Sequence, residues 1–311
     1  MIKDLIMNNT KEFESDFKIK SMDDPKQSRT NPASKYLKVI LTDGSLDIEG
    51  YKRDYDENSE KNLFKVGNVV KIKGELRLYQ NKHQITIKRV EKSNKDPKDF
   101  DRHAPVDKET LVEEFHSFVS SIENESLKAI VNEVFKKYGD KFVDYPAAVR
   151  NHHEFINGLL FHTVTMCKVA DSVCKIYTSV NRDLLISGCL LHDIGKVVEL
   201  SGTEATKYTN EGNLLGHLVI GMTIVKEAAD KLHIEGNAPL LLEHMLLSHH
   251  GKLEYGSPVL PLTREALLLS MIDDMDAKMV MLEKAFETTK ENDYSERVFG
   301  LDNRSFFNGS L

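Results

Sequence analysis

The chain has 311 residues, enough for two domains, and its 40% hydrophobic and 29% charged content is that of a globular protein rather than a disordered or fibrous one. No apolar run approaches the roughly 18 residues of a membrane-spanning helix, so no membrane partner is expected. The net charge of −7 speaks against a nucleic-acid partner only until it is divided along the chain: residues 1–98 carry 21 basic and 16 acidic side chains, and the remainder 21 and 33. A basic first part fits a nucleic-acid guide, and an acidic second part fits a metal-binding, helical one. The start, Met1-Ile2-Lys3-Asp4, lacks the apolar core of a secretory signal. Cys167, Cys174 and Cys189 sit in apolar helical patterns and read as packed, reduced thiols of a cytoplasmic protein.

Phe13, Phe17 and Ile19 begin a strand, and Ser21 to Ser34 form a polar loop. Tyr36 to Leu41 is a second strand, Thr42 to Ser45 its turn, and Leu46, Ile48 and Tyr51 alternate in a third. After a turn-prone acidic segment, Val69 to Tyr79 and Gln84 to Val90 form a hairpin around Asn81-Lys82, with Val70, Ile72, Leu76, Leu78, Ile85 and Ile87 as its apolar face. Short strands with glycines at bends predict a small OB-like barrel over 1–92. The other hairpin face carries Lys71, Lys73, Arg77, Tyr79 and Lys82, and with Tyr36 these supply the cations and stacking rings that a single-stranded nucleic acid needs. A solvated sheet face with protective lysines is the plainer reading of the same residues.

Residues 93–108 read as a linker, and 109–311 as an all-α bundle. Leu111, Phe115, Phe118, Val119 and Ile122 mark one amphipathic helix; Leu127, Ile130, Val131, Val134 and Phe135 mark the next. Further helices are predicted over 159–180, 183–192, 216–232, 238–248 and 263–289. The aromatic tail from Tyr294 onward has no partner assigned by the sequence.

The chemistry collects between 150 and 280. His192 and Asp193 stand together at the end of an apolar segment, Leu184 to Leu191, in Leu190-Leu191-His192-Asp193-Ile194-Gly195-Lys196. Neighbours on a helix point about 100° apart, yet both can reach one cation off the helix axis. Imidazole and carboxylate suit a divalent ion such as manganese, iron, zinc or magnesium. Other ligand types follow the same pattern of apolar flanks: His162 upstream, then Gly216-His217, Leu247-Ser248-His249-His250-Gly251, and Ile272-Asp273-Asp274-Met275-Asp276. A lone histidine beside leucines is usually a satisfied core residue, and His233 and His244 are read that way.

This order of His, His-Asp, His, His-His and Asp resembles the HD-domain metal-dependent phosphohydrolases. The wording His162-Thr163…Met166, Leu190 to Lys196, Gly216-His217-Leu218, Leu247 to Pro258 and Ile272 to Lys278 is similar to 3′→5′ exoribonucleases of the YhaM type. The resemblance implies an OB-fold followed by an HD domain. It also implies metal ligands His162, His192, Asp193, His217, His249, His250 and Asp273, with His192, Asp193 and Lys196 as the catalytic group. Whether His249, His250 or both ligate stays open. Asp193 could bridge two ions, with manganese the first choice and magnesium, iron, cobalt or zinc as alternatives. Asp276 is a candidate supporting residue, and Lys196 contacts a phosphate, orients Asp193 or complements a helix dipole. His153 is placed near substrate.

The reaction the resemblance implies is metal-dependent hydrolysis of single-stranded RNA, with single-stranded DNA as a second substrate, from the 3′ end to nucleoside monophosphates; the resemblance also hints at a homo-oligomer. Rival readings are a nucleotide or cyclic-nucleotide phosphohydrolase of the HD type, and a nucleic-acid-binding regulator without catalysis. Two departures from the family stand out. Asn157-Gly158 replaces a common pair of glycines, and Tyr51 stands where relatives often carry tryptophan, a residue this chain lacks.

Overall fold

The computed structural model describes residues 1–28, 31, 33–79, 82–147, 155–203 and 206–311. They pack as two compact units, Met1–Arg102 with Met281–Leu311, and His103–Val280.

In the first unit α1 (Ile2–Met7) precedes β1 (Glu12–Met22), the short β2 (Lys26–Gln27), β3 (Lys35–Thr42), β4 (Asp47–Lys52), α2 (Glu57–Glu60), β5 (Val69–Tyr79) and β6 (Lys82–Lys92). The hydrogen-bonded order β1-β5-β6-β4-β3 is closed by a β1–β3 pairing, giving a five-stranded OB-like barrel. Its one parallel pairing is β4 with β6. Alternation drives the closure: Phe17, Ile19, Leu37, Val39, Leu41, Ile72, Ile85 and Ile87 all fill the interior. Leu78 departs from its expected inward place and is 62% exposed. It pairs with His83 at the tip of the hairpin, where no interior remains to receive it. α1 was not apparent from its loosely alternating residues, yet Ile2 and Leu5 bury one side of it in the barrel core.

The second unit holds α3 (Lys108–Ser120), α4 (Glu125–Asp144), α5 (Gly158–Ile176), α6 (Arg182–Leu191), α7 (Lys196–Glu199), α8 (Asn210–Lys231), α9 (Asn237–Ser248) and α10 (Arg264–Phe286), whose end passes into the other unit. α6 is the hub. Asn181 caps it by accepting from the Leu184 N–H at 3.0 Å, and every residue from Leu184 to Leu191 is buried. Such a helix is apolar all round because α3, α4, α5 and α9 surround it.

The expected partition gave the whole tail to the helical part. Met281–Leu311 instead groups with the barrel residues. The tail lacks a helical apolar period; it is held by a hydrogen bond from the His83 N–H to Glu296, a 2.7 Å contact between that carboxylate and His83 Nδ1, and an Arg102–Glu287 ion pair of 3.1 Å. Among the described residues, no helix is long and apolar enough to cross a membrane.

Candidate active site

The end of α6 explains how adjacent residues converge. The helix stops at Leu191, so His192 and Asp193 occupy the turn before α7 rather than a straight helix face. His192 Nε2 lies 3.3 Å from Asp193 Oδ2. The turn is possible because Gly195 packs directly on the chain at His217: a Cβ there would stand 2.1 Å from the His217 carbonyl oxygen. The same contact fixes the second motif. α8 is broken at Gly216, whose φ of +71° and ψ of 154° suit glycine alone, and the break turns His217 towards Asp193.

Three further segments deliver the rest. α5 carries His162, His249 caps the C-terminus of α9 with His250 following, and α10 contributes Asp273 and Asp276. His162, His192 and Asp193 bring ligand atoms within 4.8 Å of one another, and so do His217, His249 and His250. Asp193 faces both groups. Its Oδ2 is 3.3 Å from His192 Nε2 and 3.9 Å from His162 Nε2. Its Oδ1 is 3.6 Å from His217 Nε2 and 3.8 Å from His249 Nε2. Asp273 Oδ1 joins the first group at 3.2 Å from His162 Nε2.

All five imidazoles turn Nε2 towards this centre and have Nδ1 held from behind. His192 Nδ1 is 2.8 Å from the Cys189 carbonyl, His249 Nδ1 2.7 Å from the Leu246 carbonyl and His250 Nδ1 2.9 Å from the Tyr255 carbonyl. His162 Nδ1 is 2.6 Å from Asp276 Oδ2, and His217 Nδ1 is 3.0 Å from Glu199 Oε1. A partner on Nδ1 fixes ring orientation and leaves Nε2 as the lone-pair donor, which is the arrangement of metal-bound histidines. His249 Nε2 is buried and has no hydrogen-bond partner among the described residues. An orphaned buried acceptor is costly unless something else takes it up. The donor set, nitrogen and carboxylate oxygen, fits a divalent transition ion.

The charges agree. Burial disfavours ionised Asp193, but Lys196 and His192 outweigh it and hold the carboxyl well below the usual range. Burial is likewise overcome at Asp273 by its bond to His162. Against burial, Asp273 and Asp276 raise His162 to about 10, so this corner favours positive charge. Burial, with neighbouring histidines, lowers His249 and His250, which keeps both as neutral imidazoles able to donate to a metal.

A sequence profile for the HD domain matches residues 159–278. Similar proteins include the 3′-5′ exoribonucleases YhaM of two Listeria monocytogenes strains, serotype 4b CLIP80459 and serovar 1/2a EGD-e, each 45% identical over 277 residues and 88% of both chains. The protein of the same name from Listeria innocua is 44% identical over the same share. The chain belongs to the YhaM family. An HD domain in this family makes the chain dependent on a divalent metal, for which the histidine–aspartate cluster is the candidate holder.

The seven candidate ligands of the YhaM-type pattern thus lie in one cluster, and Lys196 reaches it too, with Nζ 2.6 Å from Asp193 Oδ2. Of the residues weighed beside Asp273, Asp276 backs His162, whereas Asp274 is exposed and pairs with Lys278 at 2.6 Å. His244 has a structural job, accepting from the Leu262 N–H at 2.9 Å. His153 falls outside the described residues. Glu199 was missed: one oxygen accepts from the backbone N–H and also faces Nδ1 of His217, both at 3.0 Å. The available signal was a single carboxylate in the otherwise apolar Val197-Val198-Glu199-Leu200.

The barrel candidates belong to the other unit. Lys71, Lys73, Arg77, Tyr79 and Lys82 are exposed and Tyr36 half-buried. Their face is mixed in sign. Lys71 stands opposite Asp16 on β1, Lys73 opposite Glu14, and Arg77 pairs with Glu75 at 2.6 Å.

Proposed function

We infer that this protein is a metal-dependent 3′→5′ exoribonuclease that hydrolyses single-stranded RNA to nucleoside monophosphates. The observation that carries the reading is Asp193 lying between two histidine groups, one oxygen towards each. It is supported by the family to which the chain belongs. His162, His192, Asp193 and Asp273 would hold one ion, and Asp193 with His217, His249 and His250 a second, with manganese preferred. Divalent ions bound there would acidify a water and neutralise the phosphoryl oxygens. The residues themselves divide the remaining work. Lys196 holds Oδ2 of Asp193 and sets a positive charge beside the site. Asp276 and Glu199 orient His162 and His217. The cations and tyrosines of the barrel, Tyr36, Lys71, Lys73, Arg77, Tyr79 and Lys82, would hold the strand upstream of the cleaved end. Single-stranded DNA is a second substrate in this reading, and the cytoplasm its setting, in keeping with three free thiols. Self-association belongs to it too, supported by the exposed apolar stripe Leu267, Met271, Met275 and Met279 on α10.

The test is incubation of 5′-labelled single-stranded RNA and DNA with Mn²⁺, Mg²⁺ or chelator, beside the His192→Ala, Asp193→Ala double variant. A metal-dependent ladder shortening from the 3′ end and absent in the variant is expected, stronger on RNA. Polymers intact under every condition would overturn the reading and send the search to nucleotides and cyclic nucleotides.

A further inference from the structure

The segment after the paired histidines, Lys252 to Pro258, has no part in the ligand set, yet it is tied to it. The Tyr255 carbonyl meets Nδ1 of His250 at 2.9 Å, while Nε2 of the same ring lies 3.2 Å from His217 Nε2. Tyr255 is therefore one imidazole's width from the cluster. A short 3-10 turn, Leu253–Tyr255, and the left-handed Gly256 at φ +94° hold the segment in place. Its side chains are not buried: Tyr255 is 57% exposed. Lys252 Nζ lies 4.8 Å from the Tyr255 ring centroid and 3.5 Å from its hydroxyl oxygen, and also 3.5 Å from the Glu254 carboxylate.

We propose that Tyr255 and Lys252 form a nucleotide subsite, the tyrosine ring stacking on a base near the 3′ end of the strand and the lysine meeting a phosphate. This rests on the exoribonuclease reading and gives it a substrate contact beside the cluster. Three arguments carry it. An exposed aromatic ring held by a cation on one side is a sequence-tolerant platform for a base, because every base has a π-face. A polyanion approaching a part of the chain with 21 basic and 33 acidic side chains needs local positive charge near the cluster. The carbonyl link to His250 anchors the backbone that carries the ring beside the ligands, as productive positioning of a scissile bond requires.

The experiment uses the full chain and 5′-fluorescein RNA oligomers, either intact or abasic at one of the last three positions. Binding is read by anisotropy in chelator, and cleavage of the same oligomers is read with Mn²⁺. In the wild type, one abasic position is expected to weaken binding and raise KM about 10-fold. In Tyr255→Ala that discrimination disappears, so intact and abasic oligomers behave alike; Tyr255→Phe retains it. Lys252→Ala weakens intact and abasic oligomers equally and flattens the salt dependence. Discrimination that survives in Tyr255→Ala would overturn the subsite. So would a Tyr255→Ala protein with reduced Mn²⁺ content, because the side chain would then serve the His250 loop rather than the strand. A wild type that cleaves but shows no abasic effect removes the platform alone. One that neither binds nor shortens any oligomer removes the exoribonuclease reading with it.

Discussion

Asp193 and Lys73 are both charged side chains proposed to handle a phosphodiester chain, and their surroundings differ completely. Asp193 is 2% exposed and lies among His192, Lys196, His217 and His249. Lys73 is exposed on an outward sheet face opposite Glu14. A buried carboxylate whose partners were placed for it cannot be exchanged, because each partner left behind pays its full desolvation cost. A surface lysine trades one mobile partner for another at nearly no cost. The helical unit thus concentrates its function in single atoms, and the barrel spreads whatever it does over many.

The largest expected break is Asp193→Ala. It removes the oxygens that face both histidine groups and leaves the half-buried Lys196 without that partner. Nuclease activity should fall by well over the ~100-fold typical of changes one layer further out, and Mn²⁺ binding by calorimetry should lose both ions together. Retention of one tight ion would show that Asp193 does not serve the two groups jointly.

One layer out, Glu199→Ala is expected to cost ~10–100-fold in metal affinity or activity. It frees both the backbone N–H and Nδ1 of His217, which now meet one oxygen. Glu199→Gln keeps an acceptor oxygen and should lose less. Equal losses would mean that the negative charge, rather than the orientation of His217, is what matters. A melting curve of each variant separates this from general unfolding.

The contrast between the regions also explains what could be read from the sequence. The candidate cluster was legible through the order His, His-Asp, His, His-His and Asp, whose resemblance to the HD phosphohydrolases picked out His162, His192, Asp193, His217 and Asp273; leucine flanks alone would have left each histidine a core residue. The barrel was legible from alternation, since Leu37, Val39 and Leu41 share one side of β3. Glu199 was not, because its meaning depends on Gly216 breaking α8 and turning His217 back to it, a long-range event with no local period. The placement of Met281–Leu311 escaped for the same reason: its contacts to His83 and Arg102 join residues some two hundred positions apart. The mixed charge of the β5 face was hidden in part, because Glu14 and Asp16 join Glu75 on it only when β1 is laid beside β5 in register.

That register sets the third prediction. Lys71, Lys73, Arg77 and Lys82 changed together to alanine should weaken single-stranded RNA binding and reduce its salt slope. Four full phosphate contacts would remove about 2.8 from the log–log slope, at ~0.7 each for a single strand. A smaller drop is expected here, since Arg77 is already engaged by Glu75, and Lys71 and Lys73 stand opposite Asp16 and Glu14 across the sheet. Anisotropy across a potassium chloride series reads it. An unchanged slope would reduce this face to an ordinary solvated sheet.

The smallest effect concerns the barrel's own stability in acid. Asp43, in the β3–β4 turn, is desolvated, but it accepts from the backbone N–H groups of Leu46, Ile2 and Ser45 and from the Ser45 hydroxyl, which bring its carboxyl down to about 2. A carboxyl depressed on folding stabilises the native state above its unfolded value, near 3.8, and loses that contribution as pH falls towards 2. The stake is on the order of 2 kcal/mol at neutral pH. Denaturant titration of the wild type and Asp43→Asn should therefore differ at pH 7 and converge by pH 2. The cluster in the helical unit has no bearing on that convergence, so Mn²⁺ should not move it. A gap that persists in acid would mean that the turn depends on the shape of the side chain at residue 43 rather than on its charge.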